Sequence, residues 1–375
     1  MVADDLVDDF YDRTPLGIDS VNGRVLRVRE VEIPYPVTVG SAKQLVYTTC
    51  TMQGIPVPAS GIVLEPKPRT GNGAVRPAVV VYCPTFHGLG GRCAPSQLVV
   101  DGIEPDASSI AAALAQGWTV AIPDGIGLGI TGAGPQHFLA AQAAAHAVLD
   151  LALAVSKPAV GTREPTPVAL WGYADGGRNA IAAAEYQPEY APDLDLRAVA
   201  AGAVIRDPGA LVAGLDGGPW SGMAFAGMVG LMRAYANLPV DHLLTDDGVR
   251  AVATASGLDF SGLLVEFLAP LSTWCERRDP WNDPLWRYIL ANEVLGRFTP
   301  LAPVHLYHGL LDGLVPIESG RELFAEYISR GVAVSWSEYD VTHLGAADVG
   351  VPDVFTALRR GFARPPRPTG PPRTS

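Results

Sequence analysis

Lysine is almost missing from this sequence. It stands only at Lys43, Lys67 and Lys157, while arginine is common. With abundant alanine, glycine, proline and valine, this reads as a GC-rich coding sequence of the kind actinobacteria carry. Charged residues of all kinds reach only 18%, and the formal net charge is -12. There is no basic run. An acidic chain without basic clusters excludes nucleic acid and anionic membrane from the expected partners. Cysteine is scarce as well, with Cys50, Cys83, Cys93 and Cys275 making four. They form no CxxC pair and no Cys/His cluster with zinc spacing. No metal or cofactor is expected. Cys83 lies in an apolar run and reads as core, and spacing assigns no disulfide. No apolar stretch of about 18 residues is free of charges and breakers, so no membrane span is expected. The first residues, Met1 to Asp9, lack a basic region followed by an apolar one. The expectation is a cytoplasmic protein, secreted only if a leader has been removed. Internal repeats are absent.

What is present is a large apolar fraction, 48% over 375 residues. That suits one big α/β domain with an insertion, or two domains. Val25 to Pro36 alternates apolar and charged residues, as an exposed antiparallel strand does. Strands are also expected at 44–51, 54–64, 78–83, 118–123, 167–171 and 197–204. Helices are expected at 108–116, 136–156 and 178–186. The run Ala78-Val79-Val80-Val81-Tyr82-Cys83 has the continuous apolar character of a strand buried on both faces. Strand–helix alternation at this rhythm predicts a mainly parallel sheet with helices on both faces. From 207 to 298 the rhythm changes to helix-like segments, such as 221–235 and 262–271. Strand rhythm returns at 304–308 and 332–339. The expected domains are therefore a core of 1–206 with 299–362, and a helical lid or cap insertion over 207–298. The Pro/Arg-rich stretch 363–375 reads as an extended tail.

The informative segment is Leu170-Trp171-Gly172-Tyr173-Ala174-Asp175-Gly176-Gly177. An apolar strand runs through Gly-x-x-x-Gly into an Ala-rich helix. This is the frame of the nucleophile elbow, Gly-x-Ser-x-Gly, where the glycines clear space for a turn too tight for side chains. The nucleophile position holds Ala174. Further on, His308-Gly309-Leu310-Leu311-Asp312 puts an acid just past a strand end, and Asp340-Val341-Thr342-His343 puts a histidine in a loop after the last strand. Elbow, acid and histidine follow the order of an α/β-hydrolase triad. Asp312 would orient His343, and His343 would act as general base. The oxyanion donors are expected at Asp175, through its backbone N–H, and in the loop after the first buried strand, at His87 or Gly88. Thr85, Phe86, Tyr173, Trp220 and Met223 are candidate substrate contacts, with Phe225 and Met228 close by. The histidines at 137, 146, 242, 305 and 308 show no ligand spacing and read as structural.

These motifs resemble those of the secretory lipases, the group of fungal lipase A-type enzymes with many actinobacterial homologues. The resemblance runs through Asp9-Phe10-Tyr11, His87-Gly88, Cys93-Ala94-Pro95-Ser96 and Pro123-Asp124. It continues through Gly172-Tyr173, Asp175-Gly176-Gly177 and Pro188-Glu189-Tyr190-Ala191-Pro192, and ends on His308-Gly309, Asp312, Val315-Pro316 and His343. It implies an α/β-hydrolase fold with a helical lid, hydrolysis of carboxylic esters, and an apolar ester or acylated small molecule as substrate. The family motif carries serine where this chain has Ala174. Three readings follow. The chain is a serine esterase, lipase or acyltransferase inactivated by a Ser→Ala change. Or it is a natural lyase, in which His343 and Asp312 act as a base that eliminates a carboxylate such as acetate, in secondary metabolism. Or it is a non-catalytic protein that binds an acyl ligand. Oligomeric state is open.

Overall fold

The computed structural model describes residues 8–12, 18, 21–34, 39–67, 78–156 and 166–365. Among the described residues nine strands form one sheet: β1 Val25–Glu30, β2 Val39–Cys50, β3 Pro56–Pro66, β4 Val79–Cys83, β5 Thr119–Pro123, β6 Val168–Tyr173, β7 Leu196–Gly202, β8 Val304–Leu311 and β9 Val334–Thr342. Their spatial order is β1-β2-β3-β5-β4-β6-β7-β8-β9. The first three strands pair antiparallel, and β3 joins β5 antiparallel. From β5 to β9 every pairing is parallel. Burial follows from this. β4, β6 and β7 are buried along their whole length, because helices cover both faces. β1 stands at an edge and is half exposed, so its side chains alternate in the sequence.

Twelve α-helices accompany the sheet among the described residues. They are α1 Pro95–Asp101, α2 Ala107–Ala115, α3 Ala141–Val155, α4 Asp175–Tyr190, α5 Pro208–Leu215, α6 Ser221–Ala234, α7 Asp246–Ala255, α8 Phe260–Glu266, α9 Pro284–Asn292, α10 Ile317–Ser329, α11 His343–Val349 and α12 Val351–Phe362. One face of the sheet packs on α3, α4 and α10 through Leu149, Ile181, Leu323 and Tyr327. The other packs on α1, α2, α11 and α12 through Val99, Ile110, Ala346 and Phe355. The fold is an α/β-hydrolase arrangement, as the strand rhythm indicated.

Between β7 and β8 the described chain is helical, from α5 to α9, and contains no strand. These helices build their own apolar cluster around Phe225, Leu231, Phe267 and Trp286. That cluster also takes in Phe86, Leu89 and Phe138 from the loops above the sheet, so the helical segment sits on the C-terminal end of the strands. Several expected elements differ at their ends. The helix expected from 136 starts only at Ala141, because Leu139 takes a positive φ of 65° and breaks the helical run. The strand expected to reach Pro36 ends at Glu30. Residues 366–375 of the expected tail lie outside the described residues, as do residues 1–7.

Candidate active site

Two registers bring the site together. β4 runs beside β6 from Val79 against Val168 to Cys83 against Gly172. The loop leaving β4 therefore lies beside the turn leaving β6. β8 runs beside β9, with Gly309 against Tyr339 and Leu311 against Thr342. The next residues on each strand are Asp312 and His343, which become neighbours. His343 was expected in a loop. It is instead the first residue of α11, because β9 extends to Thr342 and the helix starts at once.

At the elbow, Ala174 has φ 51° and ψ -116°. Such a backbone costs about 1–3 kcal/mol and persists only where the surroundings impose it. They do so here. A Cβ on Gly172 would collide with the Gly176 carbonyl, and one on Gly176 with the carbonyls of Cys83 and Pro84. α4 begins at Asp175, so the first N–H groups of the helix have no intrahelical partner and stand at its positive end. The Asp175 carboxyl is buried and hydrogen-bonded to Asn179. Burial pushes its pKa up to about 6, against the pull of Arg178 and Asn179.

The acid and histidine are joined. His343 Nδ1 lies 2.6 Å from Asp312 Oδ2. Tyr173, the residue before Ala174, donates its hydroxyl to the His343 carbonyl at 2.5 Å and so ties the dyad to the elbow. The Asp312 side chain is fully buried. Burial alone would raise its pKa. Hydrogen bonds from His308, His343 and the Val315 N–H more than offset this and hold it well below the usual carboxylate range. His308 Nε2 stands 3.2 Å from Asp312 Oδ2 and donates to the Val315 carbonyl at 3.0 Å. It was read as merely structural. Its spacing from Asp312, one helical repeat in an extended segment, was no signal of this contact.

The loop after β4 is fixed from below. Asp106, at the start of α2, accepts the Thr85 N–H at 2.8 Å and lies 3.3 Å from its hydroxyl. The Thr85 N–H is thus spent. His87 Nε2 lies 2.9 Å from Glu104 Oε1, and Glu104 also accepts the Asp106 N–H. His87, Glu104 and Asp106 bring donor atoms within 4.8 Å of one another. His87 Nε2 is engaged by Glu104 and both Asp106 oxygens by Thr85, so the trio reads as one ion pair beside a third acid. Glu104 and Asp106 went unnoticed in the sequence because two acids before a helix look like ordinary turn residues. Gly88 has φ 142° and meets Asp259 in an isolated bridge, so the helical segment rests directly on this loop.

Thr85, His87 and Asp175 wall one cavity with Gln136, His137 and Asn179, while Ala174 and His343 are not among its walls. Phe86 stacks on Phe138 at 3.9 Å. Met223 is buried in the helical cluster, and Trp220 packs partly buried against it. Neither reaches the cavity wall. All four cysteines are free and buried. No helix among the described residues is long and apolar enough to cross a membrane.

The family model for the secretory lipases matches residues 94–369. A Mycobacterium tuberculosis protein named a probable inactive lipase is 28% identical, over 96% of this chain and 83% of its own length. A secreted triacylglycerol lipase of Malassezia furfur is 26% identical, over 78% of this chain and 80% of its own. Among solved structures, Candida antarctica lipase A in its closed state superposes with a TM-score of 0.83 at 22% identity, covering 97% of this chain and 87% of that one. These matches correct the cytoplasmic expectation. The family is one of secretory enzymes with secreted relatives, which points outside the cell. The expectation had rested on the absence of a leader pattern in residues 1–9, a weaker guide than kinship along most of the chain. By the match over 94–369, the chain belongs to the secretory lipase family.

Proposed function

We propose that this site is a carboxylic-ester hydrolase framework whose nucleophile position is held by Ala174, so that it binds apolar esters without forming an acyl-enzyme. One observation carries the reading. Ala174 keeps the strained elbow backbone while His343 and Asp312 stay hydrogen-bonded beside it. A side chain lost through decay would not be expected to leave both partners in place. In an Ala174→Ser chain, His343 takes the serine proton, and the hydroxyl oxygen attacks the ester carbonyl. The Asp175 N–H and the His87–Gly88 part of the loop are the proposed donors to the oxygen that gains charge. His343 then protonates the leaving alcohol, and water or an acceptor alcohol releases the acyl group.

The test is to restore the serine. Ala174→Ser is expected to raise turnover of p-nitrophenyl esters by up to about 10⁶-fold. No gain at any acyl length would sink the reading. A relative named a probable inactive lipase suits a natural Ala174, and a second reading starts there. In it Ala174 is natural, and the His343–Asp312 pair serves as a base for elimination of a carboxylate. There the parent chain turns over its substrate, His343→Ala abolishes this, and a substrate retained intact through many enzyme equivalents counts against it.

A further inference from the structure

Apart from the histidines on Asp312, a separate histidine–carboxylate pair lies near this elbow. This pair, His87 with Glu104, has no role in the triad scheme. His87 is 8% exposed and Glu104 4%. Nε2 of His87 is held by Glu104 at 2.9 Å, which leaves Nδ1 without a hydrogen bond among the described residues. The ring shares a cavity wall with Asp175, whose N–H is the backbone oxyanion donor proposed above.

We infer that His87 is an imidazolium held charged by Glu104, and that its Nδ1–H is a side-chain donor to the substrate oxygen that becomes negative. The inference rests on the reading of the elbow as an ester-binding site. No bond forms or breaks at His87. It supplies a fixed positive charge, worth more in a dry site than a neutral N–H would be.

The surroundings favour the charge. Glu104, Asp106 and Asp175 all act on the ring. His137 lines the same cavity. Asp259 lies on the segment that seals the loop. Arg178, the cation one turn into α4, is spent on Glu293 and backbone carbonyls. Burial alone would lower the imidazole pKa. The hydrogen bond to Glu104 and the three carboxylates more than offset this and hold it above the usual value. A folded-state value raised in this way carries the charge to higher pH than a free imidazole does.

Two measurements test this. In ¹⁵N NMR of the chain as it stands, the His87 signals are identified by their loss in His87→Gln. Both ring nitrogens are expected to be protonated at pH 7, and only one in Glu104→Gln. A neutral ring in the parent chain overturns the inference whatever the ester assays give. In the Ala174→Ser background, adding His87→Gln is expected to lower kcat by about 10²–10³-fold with KM little changed. Adding Glu104→Gln instead should move the alkaline fall in kcat to lower pH, which loss of packing alone would not do. An unchanged kcat in the His87→Gln chain also overturns the inference. If Ala174→Ser cleaves no ester, the proposed function fails, and the NMR result alone decides the state of His87.

Discussion

Asp312 is the most heavily engaged residue of the site. Oδ1 accepts the N–H groups of Leu314 and Val315, and Oδ2 faces both His343 and His308. A carboxylate held this way is stabilised in its charged form. Its folded pKa lies below the unfolded one, so its contribution to stability is full above the ordinary carboxylate range. That contribution is lost as pH falls through the folded value. Asp312→Asn is therefore expected to lower stability by about 1.5–3 kcal/mol near neutrality. The gap to the parent should narrow below about pH 4. Urea unfolding between pH 2 and 7 measures it, and a gap independent of pH would contradict the account. This residue and His343 were legible in the sequence, because their order along the chain is set by the fold. His308 was not, because a buried histidine in a strand carries no periodic mark.

Among the elements, α4 does two things at once. Its first turn offers N–H groups to the site. One turn on, its Arg178 anchors the helical segment above. Arg178 is fully buried and donates to the carbonyls of Leu139, Ile205 and Glu293, and its guanidinium lies 3.2 Å from Glu293 Oε2. Glu293, just past α9, also accepts the Tyr235 hydroxyl from beyond α6 and the Ala141 N–H at the start of α3. Four elements therefore meet at one ion pair. Burying two charges is costly, and removing one partner leaves the other uncompensated. Arg178→Ala is expected to cost about 3–5 kcal/mol, read as a lowered urea midpoint. A loss within the surface range of about 0.5 kcal/mol would show that the network carries no load. The sequence pattern predicts α4 but starts it at Arg178 rather than Asp175. A helix opening on Asp-Gly-Gly looks like a turn, and only packing against β4 and β7 explains glycines in its first turn. The late start of α3 was hidden for the opposite reason. Gln136 to Ala140 has good helical composition, and tertiary contacts override it.

For the whole molecule, the parallel sheet and the helical excursion between β7 and β8 were readable because buried strands and amphipathic helices have different periods. How the excursion meets the core was not readable. It depends on backbone contacts, such as Leu89 and Gly90 donating to the Leu258 carbonyl, that carry no side-chain signature. Net charge acts at this scale too. At -12 the molecule is repelled by negative surfaces beyond contact range. The Ala174→Ser chain is expected to hydrolyse an ester emulsion carrying anionic detergent more slowly than a zwitterionic one. Added salt should shrink the difference as the Debye length falls from about 30 Å at 0.01 M to about 8 Å at 0.15 M. A difference unmoved by salt would rule out the electrostatic explanation.

The unaltered elbow at Ala174 has one further consequence. Alanine and serine codons can differ by a single base, and the backbone that would receive the hydroxyl is already in place. Switching between holding an ester and cleaving it would then require no remodelling of the scaffold. The same property makes the chain a practical reagent. An ester soaked into its crystals would meet the orienting groups but no attacking atom, and the uncleaved complex could be imaged at leisure.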